Sequence, residues 1–449
     1  IFDEASQITL EEAVPTIFRA PQAIVVGDEM QLPPTDFFSA RRNDDDEVSF
    51  FDDEAGEQVQ YDLESNSLLN HAARNLSSTM LGWHYRSRSE SLISFSNWAF
   101  YGGNLLTIPE EELPVEGRRA LTIEAAEDAA KTAADVLRRP VSFHFLEQGV
   151  YEKRRNRAEA TYIAHLVRAI LQEEDHYSIG VVAFSEAQQG EIEDALNRLA
   201  QADDEFAGRL EQEYEREDDG EFAGLLVKNL ENIQGDERDL IIMSVCYGHD
   251  SEGKMRMNFG PINKSGGEKR LNVAFSRARH RMVLVSSIRA TDITNDYNDG
   301  ANCLKRYLQY ADATSLGDLD AAQRVLHEMS PAHTERDDTG QPELDAVTKS
   351  IGEELRNHGW TVDYHVGQSQ FRCDLAMRAQ GDSEYRLGVL VDSRNYYAAE
   401  DSLEREMMKP LLLRRFGWRV EVVLGKDWHG DREAVLERLL SALNADGGE

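Results

Sequence analysis

Asp3 and Glu4 follow the apolar pair Ile1-Phe2. A carboxylate at a strand end can hold Mg²⁺ through its water shell, and its neighbour can orient or deprotonate an attacking water. Alone, this pair reads more readily as an acidic helix cap. The segment Gly27-Asp28-Glu29-Met30-Gln31-Leu32-Pro33-Pro34 ends a strand at a Gly turn and sets Gln31 before two prolines that stiffen the loop. Arg86 lies in Trp83-His84-Tyr85-Arg86, and Arg277 and Arg279 stand two apart at a helix end. Guanidinium groups suit the charge of a transferring phosphoryl group. Gly235, in Gln234-Gly235-Asp236-Glu237, permits close backbone approach to a ligand. Ser185 and Gln188 follow the apolar run Val182-Ala183-Phe184, where a strand leading into a helix N-terminus turns N–H groups toward phosphate.

These residues need rigid elements to position them. Residues 1–38 alternate strand and helix signals, with a helix over 10–18 and a strand over 23–26, which suits a parallel α/β sheet. Residues 43–61 are rich in Asp and Glu and predict a solvated loop. A second α/β pattern runs to about residue 287, with strands at 142–145, 179–183, 225–228, 240–245 and 282–286 and helices at 157–171 and 187–199. The acidic stretch 203–219 predicts a helix continuing into an exposed loop. Strand signals weaken after residue 289, and the polar run 333–340 marks a boundary. Residues 342–449 then predict a small α/β module. The expected division is residues 1–80, 81–290, a connector 291–341, and 342–449.

The order of the segments resembles superfamily 1 helicases, in the Upf1-like branch that includes DNA2/NAM7-type enzymes. The resemblance covers residues 1–290 and is most specific at Gly-Asp-x-x-Gln-Leu-Pro-Pro. It implies two RecA-like lobes of the P-loop NTPase class that clamp ATP and Mg²⁺ and move on single-stranded DNA or RNA. It implies Asp3 and Glu4 as the Mg²⁺ and water residues, Gln31 as γ-phosphate sensor, and Arg86 and Arg277 as γ-phosphate contacts. Tyr85 stacks on the base in this reading. Gln234, Gly235, Glu237 and Arg279 line the nucleotide side, and Ser185 and Gln188 touch nucleic acid. No G-x-x-x-x-G-K-[ST] phosphate loop occurs in the sequence, and Gly266-Gly267 has the wrong spacing for one. The first lobe is therefore expected to be incomplete, and the partner it needs is an upstream part of the same protein. Residues 367–376 and Gly417-Trp418-Arg419-Val420 resemble a restriction-endonuclease-like domain. That implies Asp374 and Asp392 as metal ligands. Leu390, however, stands where that family carries an acid, and Leu cannot bind a hard cation. A Mg²⁺-dependent nuclease and a non-catalytic nucleic-acid-binding module are the alternatives for this part.

With 449 residues the chain has room for two or three domains. It holds 83 acidic against 48 basic residues, a formal net charge of -35, and only 10 of the basic residues are Lys. A nucleic-acid protein would ordinarily be neutral or basic. The dispersed acid excess predicts a halophilic source, where salt screens repulsion from phosphate. Cys246, Cys303 and Cys373 lie far apart, which predicts a reducing, cytoplasmic setting. No apolar run approaches the roughly 18–20 residues that span a bilayer, so no membrane partner is expected.

Overall fold

The computed structural model describes residues 1–34, 50–51, 58–59, 67–113, 115–173, 177–218, 220–329, 344–393, 396–397 and 402–445. The acidic loop expected over 43–61 lies outside these, apart from the short pairing of Phe50–Phe51 with Gln58–Val59. The polar run 333–340 also lies outside them.

Six strands form one parallel sheet: β1 (Leu121–Thr122), β2 (Val141–Phe145), β3 (Ile179–Ala183), β4 (Leu226–Asn229), β5 (Arg238–Ser244) and β6 (Ala278–Ser286). Their order across the sheet is β4-β3-β5-β6-β2-β1. Helices cover both faces, so the central strands read as continuous apolar runs without alternation, and every residue of β3 is buried. Arg157–Gln172 and Glu186–Ala202 pack on one face, burying Ile163, Leu166 and Ile192. Gly267–Phe275 and Asp299–Leu316 cover the other, where Phe275 stacks on Tyr307 with ring centroids 3.5 Å apart. Gly267 is required here, because a Cβ at that position would collide with the Ile262 carbonyl. The Gly266-Gly267 pair thus serves a tight helix start.

Two expectations change. The stretch 203–219 does not prolong the preceding helix. Asp203 adopts extended backbone and caps a new helix, Asp204–Glu215, whose Phe206 and Leu210 are buried. The region expected as a connector carries two helices, Asp299–Leu316 and Leu319–Met329, whose Tyr307, Tyr310 and Leu326 enter the core of the larger lobe. Aromatic side chains at helical spacing drive this packing.

The first residues form a small separate layer. Phe2 pairs in parallel with Val25, and Ala5, Ala13 and Leu68 make its core. At the other end, β7 (Thr361–Val366), β8 (Cys373–Arg378), β9 (Leu387–Val391) and β10 (Val420–Val423) form a second sheet, antiparallel except for β9 with β10. One face is covered by Ala346–Asn357 and Arg432–Asn444. The other receives Trp83, Leu106, Ile108 and Leu113 from the segment before β1, packed with Phe371, Leu390 and Trp418. Trp418 Nε1 donates to Pro109 O at 2.8 Å. Among the described residues, no helix is long and apolar enough to cross a membrane.

Candidate nucleotide site

Two loops of the small layer face the amino ends of β5 and β6. Asp3 and Glu4 leave the strand that pairs with Val25, and Glu4 holds a left-handed backbone, φ 51°. Asp3 Oδ1 accepts the Glu4 N–H at 2.9 Å. On the neighbouring loop, Asp28 accepts the Met30 N–H and the Gln31 Nε2 amide, each at 2.9 Å. These bonds set the Gln31 side chain before the prolines stiffen the exit.

The facing side comes from the larger lobe. Segment 83–88 is stapled to the start of β6: Arg88 N donates to Arg279 O at 2.7 Å, and Ser87 Oγ to Ala278 O at 3.3 Å. Arg86 Nε then reaches Glu237, which also accepts Arg279 Nε at 3.0 Å. Burial raises the Glu237 carboxyl, but Arg279 and Arg86 together hold it below its ordinary range. Gln234 Nε2 crosses to Glu4 Oε2 at 3.1 Å. Gly235 has φ 86°, a conformation open to glycine, and a Cβ there would meet nothing.

Arg277 is the most informative member. It is 4% exposed, its Nε donates to Val273 O at 2.8 Å, and no carboxylate pairs with it among the described residues. Burial and the neighbouring Arg86 push its pKa down to about 10. A buried cation without an ion-pair partner is costly unless an anion completes it. Three buried amide oxygens near the same cleft, Gln31 Oε1, Gln234 Oε1 and Asn272 Oδ1, also lack donors among the described residues. The held guanidinium suits a phosphate oxygen, while the three amide oxygens, being acceptors, suit water or the N–H and O–H groups of a nucleotide, so the residues fit ATP.

Glu4 is thus bonded to Gln234, Arg86 and Arg279 share Glu237, and Arg277 feels the charges of Glu4, Arg86 and Glu237, while Asp3 and Gln31 stand on the same two loops of the small layer and Gly235 adjoins Gln234. Tyr85, next to Arg86, is 70% exposed. Ser185 and Gln188 do not join this group; they lie at the carboxyl end of β3. Ser185 caps the helix Glu186–Ala202. Gln188 is fully buried, and its amide is spent on Asn156 N, Asn156 O and Ser244 Oγ. Gln188 therefore ties strand ends together and cannot touch nucleic acid. Asp374 and Asp392 are likewise engaged as backbone ties. Asp374 Oδ2 accepts Val391 N at 2.8 Å, and Asp392 accepts Gly425 N. Burial pushes Asp374 up to about 7. No group of three His, Cys, Asp or Glu among the described residues is arranged to hold a metal.

Sequence reasoning missed Tyr101 and Asn272. Tyr101 Oη donates to Asp28 Oδ2 at 2.6 Å, and Asn272 Nδ2 donates to Met30 O at 2.8 Å. The available signal was a buried polar residue inside the apolar run Leu271-Asn272-Val273-Ala274.

Comparison with known proteins agrees with this architecture. The AAA domain family AAA_12 matches residues 64–289. The chain belongs to that family. AAA_12 is of the Upf1-like superfamily 1 helicase type, as the motif order implies, and its match contains all six strands of the larger sheet and both arginine segments. The family REase_MTES_1575 matches residues 348–443, which contain the second sheet. The AAA_12 chain is 34% identical over 319 residues to an uncharacterized ATP-dependent helicase of Mycoplasma genitalium, covering 70% of this chain and 25% of the relative. A homolog in Mycoplasma pneumoniae matches to the same extent. The chain spans about a quarter of the length of these curated relatives.

Proposed function

We propose that this chain forms the nucleotide-responsive part of an ATP-dependent helicase or translocase acting on single-stranded DNA or RNA. The observation that carries the reading is the buried Arg277, which has no ion-pair partner among the described residues and feels the charges of Glu4 and Arg86, on the lobe whose Gln234 reaches across to Glu4. In this reading Asp3 would hold Mg²⁺ through its water shell, and the ion would neutralise charge on the phosphates. Glu4 orients the attacking water, Gln31 and Gln234 report the state of the cleft, and Arg86 and Arg277 stabilise the transferring phosphoryl group. Glu237 is a holding partner for Arg86 and Arg279 that substrate displaces.

The phosphate-binding loop that this chemistry needs is not in the sequence, so we infer that an upstream part of the same protein supplies it. Exposed apolar groups on the small layer, Phe18 at 94% and Ile24 at 49%, support a covering partner there. A dispersed acidic surface supports a salt-rich cytoplasm as the working environment. The test is ATP hydrolysis by a chain extended upstream, with and without a single-stranded oligonucleotide. Loss on Arg277→Ala is expected; full turnover in that variant defeats the motor reading.

The C-terminal module is read as a docking element, with the nuclease alternative disfavoured. Leu390 lies 3% exposed among Trp418, Leu413 and Phe371, so the position where an acid is expected belongs to an apolar core.

A further inference from the structure

A hairpin at the opposite edge of the larger sheet carries the densest positive charge of the chain. Residues 153–157 read Lys-Arg-Arg-Asn-Arg, and no other five-residue window holds more than three basic residues in this chain of net charge -35. Tyr151–Glu152 pairs antiparallel with Arg155–Asn156, which leaves Lys153 and Arg154 as a two-residue turn. Both have positive φ, 50° and 63°, as a type I′ turn demands. Asn-Gly suits such a turn; two long cationic side chains do not. Backbone strain of this kind gathers where a side chain is needed for function.

The base of the hairpin is fixed. Tyr151 N donates to His249 O at 2.9 Å, and Ser185 Oγ donates to Arg154 O. Buried Glu191 pairs with Arg155 at 2.9 Å and stands 3.7 Å from Arg157. Lys153 and Arg154 are exposed, and neither has an ion-pair partner among the described residues. A cleft of about 380 Å³ lined by Gln148 and Arg157, and one of about 270 Å³ lined by Lys153, Arg155 and Arg157, open beside them. The hairpin sits at the carboxyl ends of the strands, where parallel α/β sheets collect ligands, whereas Arg277 and Arg279 stand at the amino ends. It therefore belongs to a different site from the nucleotide cleft.

We propose that Lys153 and Arg154 bind the phosphodiester backbone of a single strand, with the N-terminus of Glu186–Ala202 alongside. This rests on the motor reading above and names where the second lobe meets its track. An acidic chain repels a polyanion except where cations concentrate, and this turn holds two adjacent exposed cations, neither with an ion-pair partner among the described residues, on the sheet's carboxyl edge.

The test is fluorescence anisotropy of labelled dT20 and rU20 with the full chain across a KCl series. Lys153→Asn combined with Arg154→Gly installs the dipeptide the turn prefers, so the hairpin forms and both charges go. Its thermal midpoint should equal or exceed that of the wild type. Binding should weaken about tenfold, and the slope of log affinity against log salt should become shallower by about 1.4, for two lost phosphate contacts. Lys153→Arg with Arg154→Lys should retain wild-type binding. A larger loss with rU20 than with dT20 supports the proposal with RNA as the track, and the reverse supports it with DNA. Unchanged affinity and slope in the Asn-Gly variant overturn the hairpin proposal and leave the motor reading standing. Failure of the wild type to bind either oligomer overturns the hairpin proposal as well, and leaves the motor reading to the hydrolysis test on the chain extended upstream.

Discussion

Tyr101 Oη donates a 2.6 Å hydrogen bond to Asp28 Oδ2 and so joins a helix end of the larger lobe to the loop that carries Gln31. The same hydroxyl accepts Asn272 Nδ2 at 3.0 Å. Burial first, then the Asp28 charge, push the Tyr101 pKa well above its ordinary value, so the phenol stays a donor. Tyr101→Phe removes one bond to a carboxylate and one acceptor for Asn272. We expect a stability loss of roughly 1.5–3 kcal/mol, measured by urea unfolding. An unchanged midpoint would mean that the two layers are not held through this bond.

Arg277 is expected to separate stability from activity. Replacing a buried, unpaired charge by an apolar group of similar length is commonly neutral or stabilising. Arg277→Met should leave the thermal midpoint unchanged or raised. In a chain extended upstream, the same change should lower kcat by about 10³, the scale of an arginine that stabilises phosphoryl transfer. A variant that melts early yet hydrolyses ATP normally would assign Arg277 a structural role only.

The contact between the larger lobe and the C-terminal module should weaken as pH rises. Glu90 is buried at that contact, where it accepts Gln368 N at 3.0 Å and the Thr107 hydroxyl. Burial pushes its pKa up to about 7, against the pull of those hydrogen bonds. Because the folded value lies above the unfolded one, the folded state binds more protons between the two. The stabilisation is complete below about pH 4.5 and is lost as pH rises through about 7. Glu90→Gln should flatten that dependence. Melting curves between pH 5 and 8 should show wild type losing roughly 1–3 kcal/mol more than the variant. Parallel curves would remove Glu90 as the cause. Burial also lowers His84 to about 4, and this effect runs in the opposite direction, stability rising from pH 4 to 6.5.

Leu390 offers a check on the C-terminal module. Leu390→Ala should cost about 2–4 kcal/mol, as expected for a core leucine. Wild-type protein incubated with Mg²⁺ and plasmid or single-stranded DNA should give no cleavage on a gel. Cleavage that disappears in Asp374→Ala would restore the nuclease reading.

Much of this architecture was legible locally. Strands β3 and β5 are apolar runs bounded by turns, and a run buried on both faces announces itself. The order of the motor segments identified the helicase type before any geometry. Elsewhere local signals misled. The stretch 203–219 looked like a helix running on into an exposed loop because nothing near Asp203 shows that Phe206 and Leu210 have a core of their own to enter. Residues 299–329 looked like a connector because the aromatic partners of Tyr307 and Tyr310 lie outside the segment, at Phe275 and at the far more distant Phe95.

Residue types, spacing and periodicity pointed to candidate phosphate-binding side chains and to the segments that would be strands, since both depend on neighbours within a few positions. Tertiary packing alone decided which of those side chains meet. Glu4 and Gln234 are separated by 230 positions and meet at 3.1 Å, while Gln188, only three positions from Ser185, turns inward and is consumed by the core. Packing also withdrew Arg277 from solvent and left it without an ion-pair partner among the described residues, and converted Leu390 from an apparent gap in a metal site into part of an apolar core. Burial and long-range contact are properties of the assembled layers, so no local window of the chain contains them.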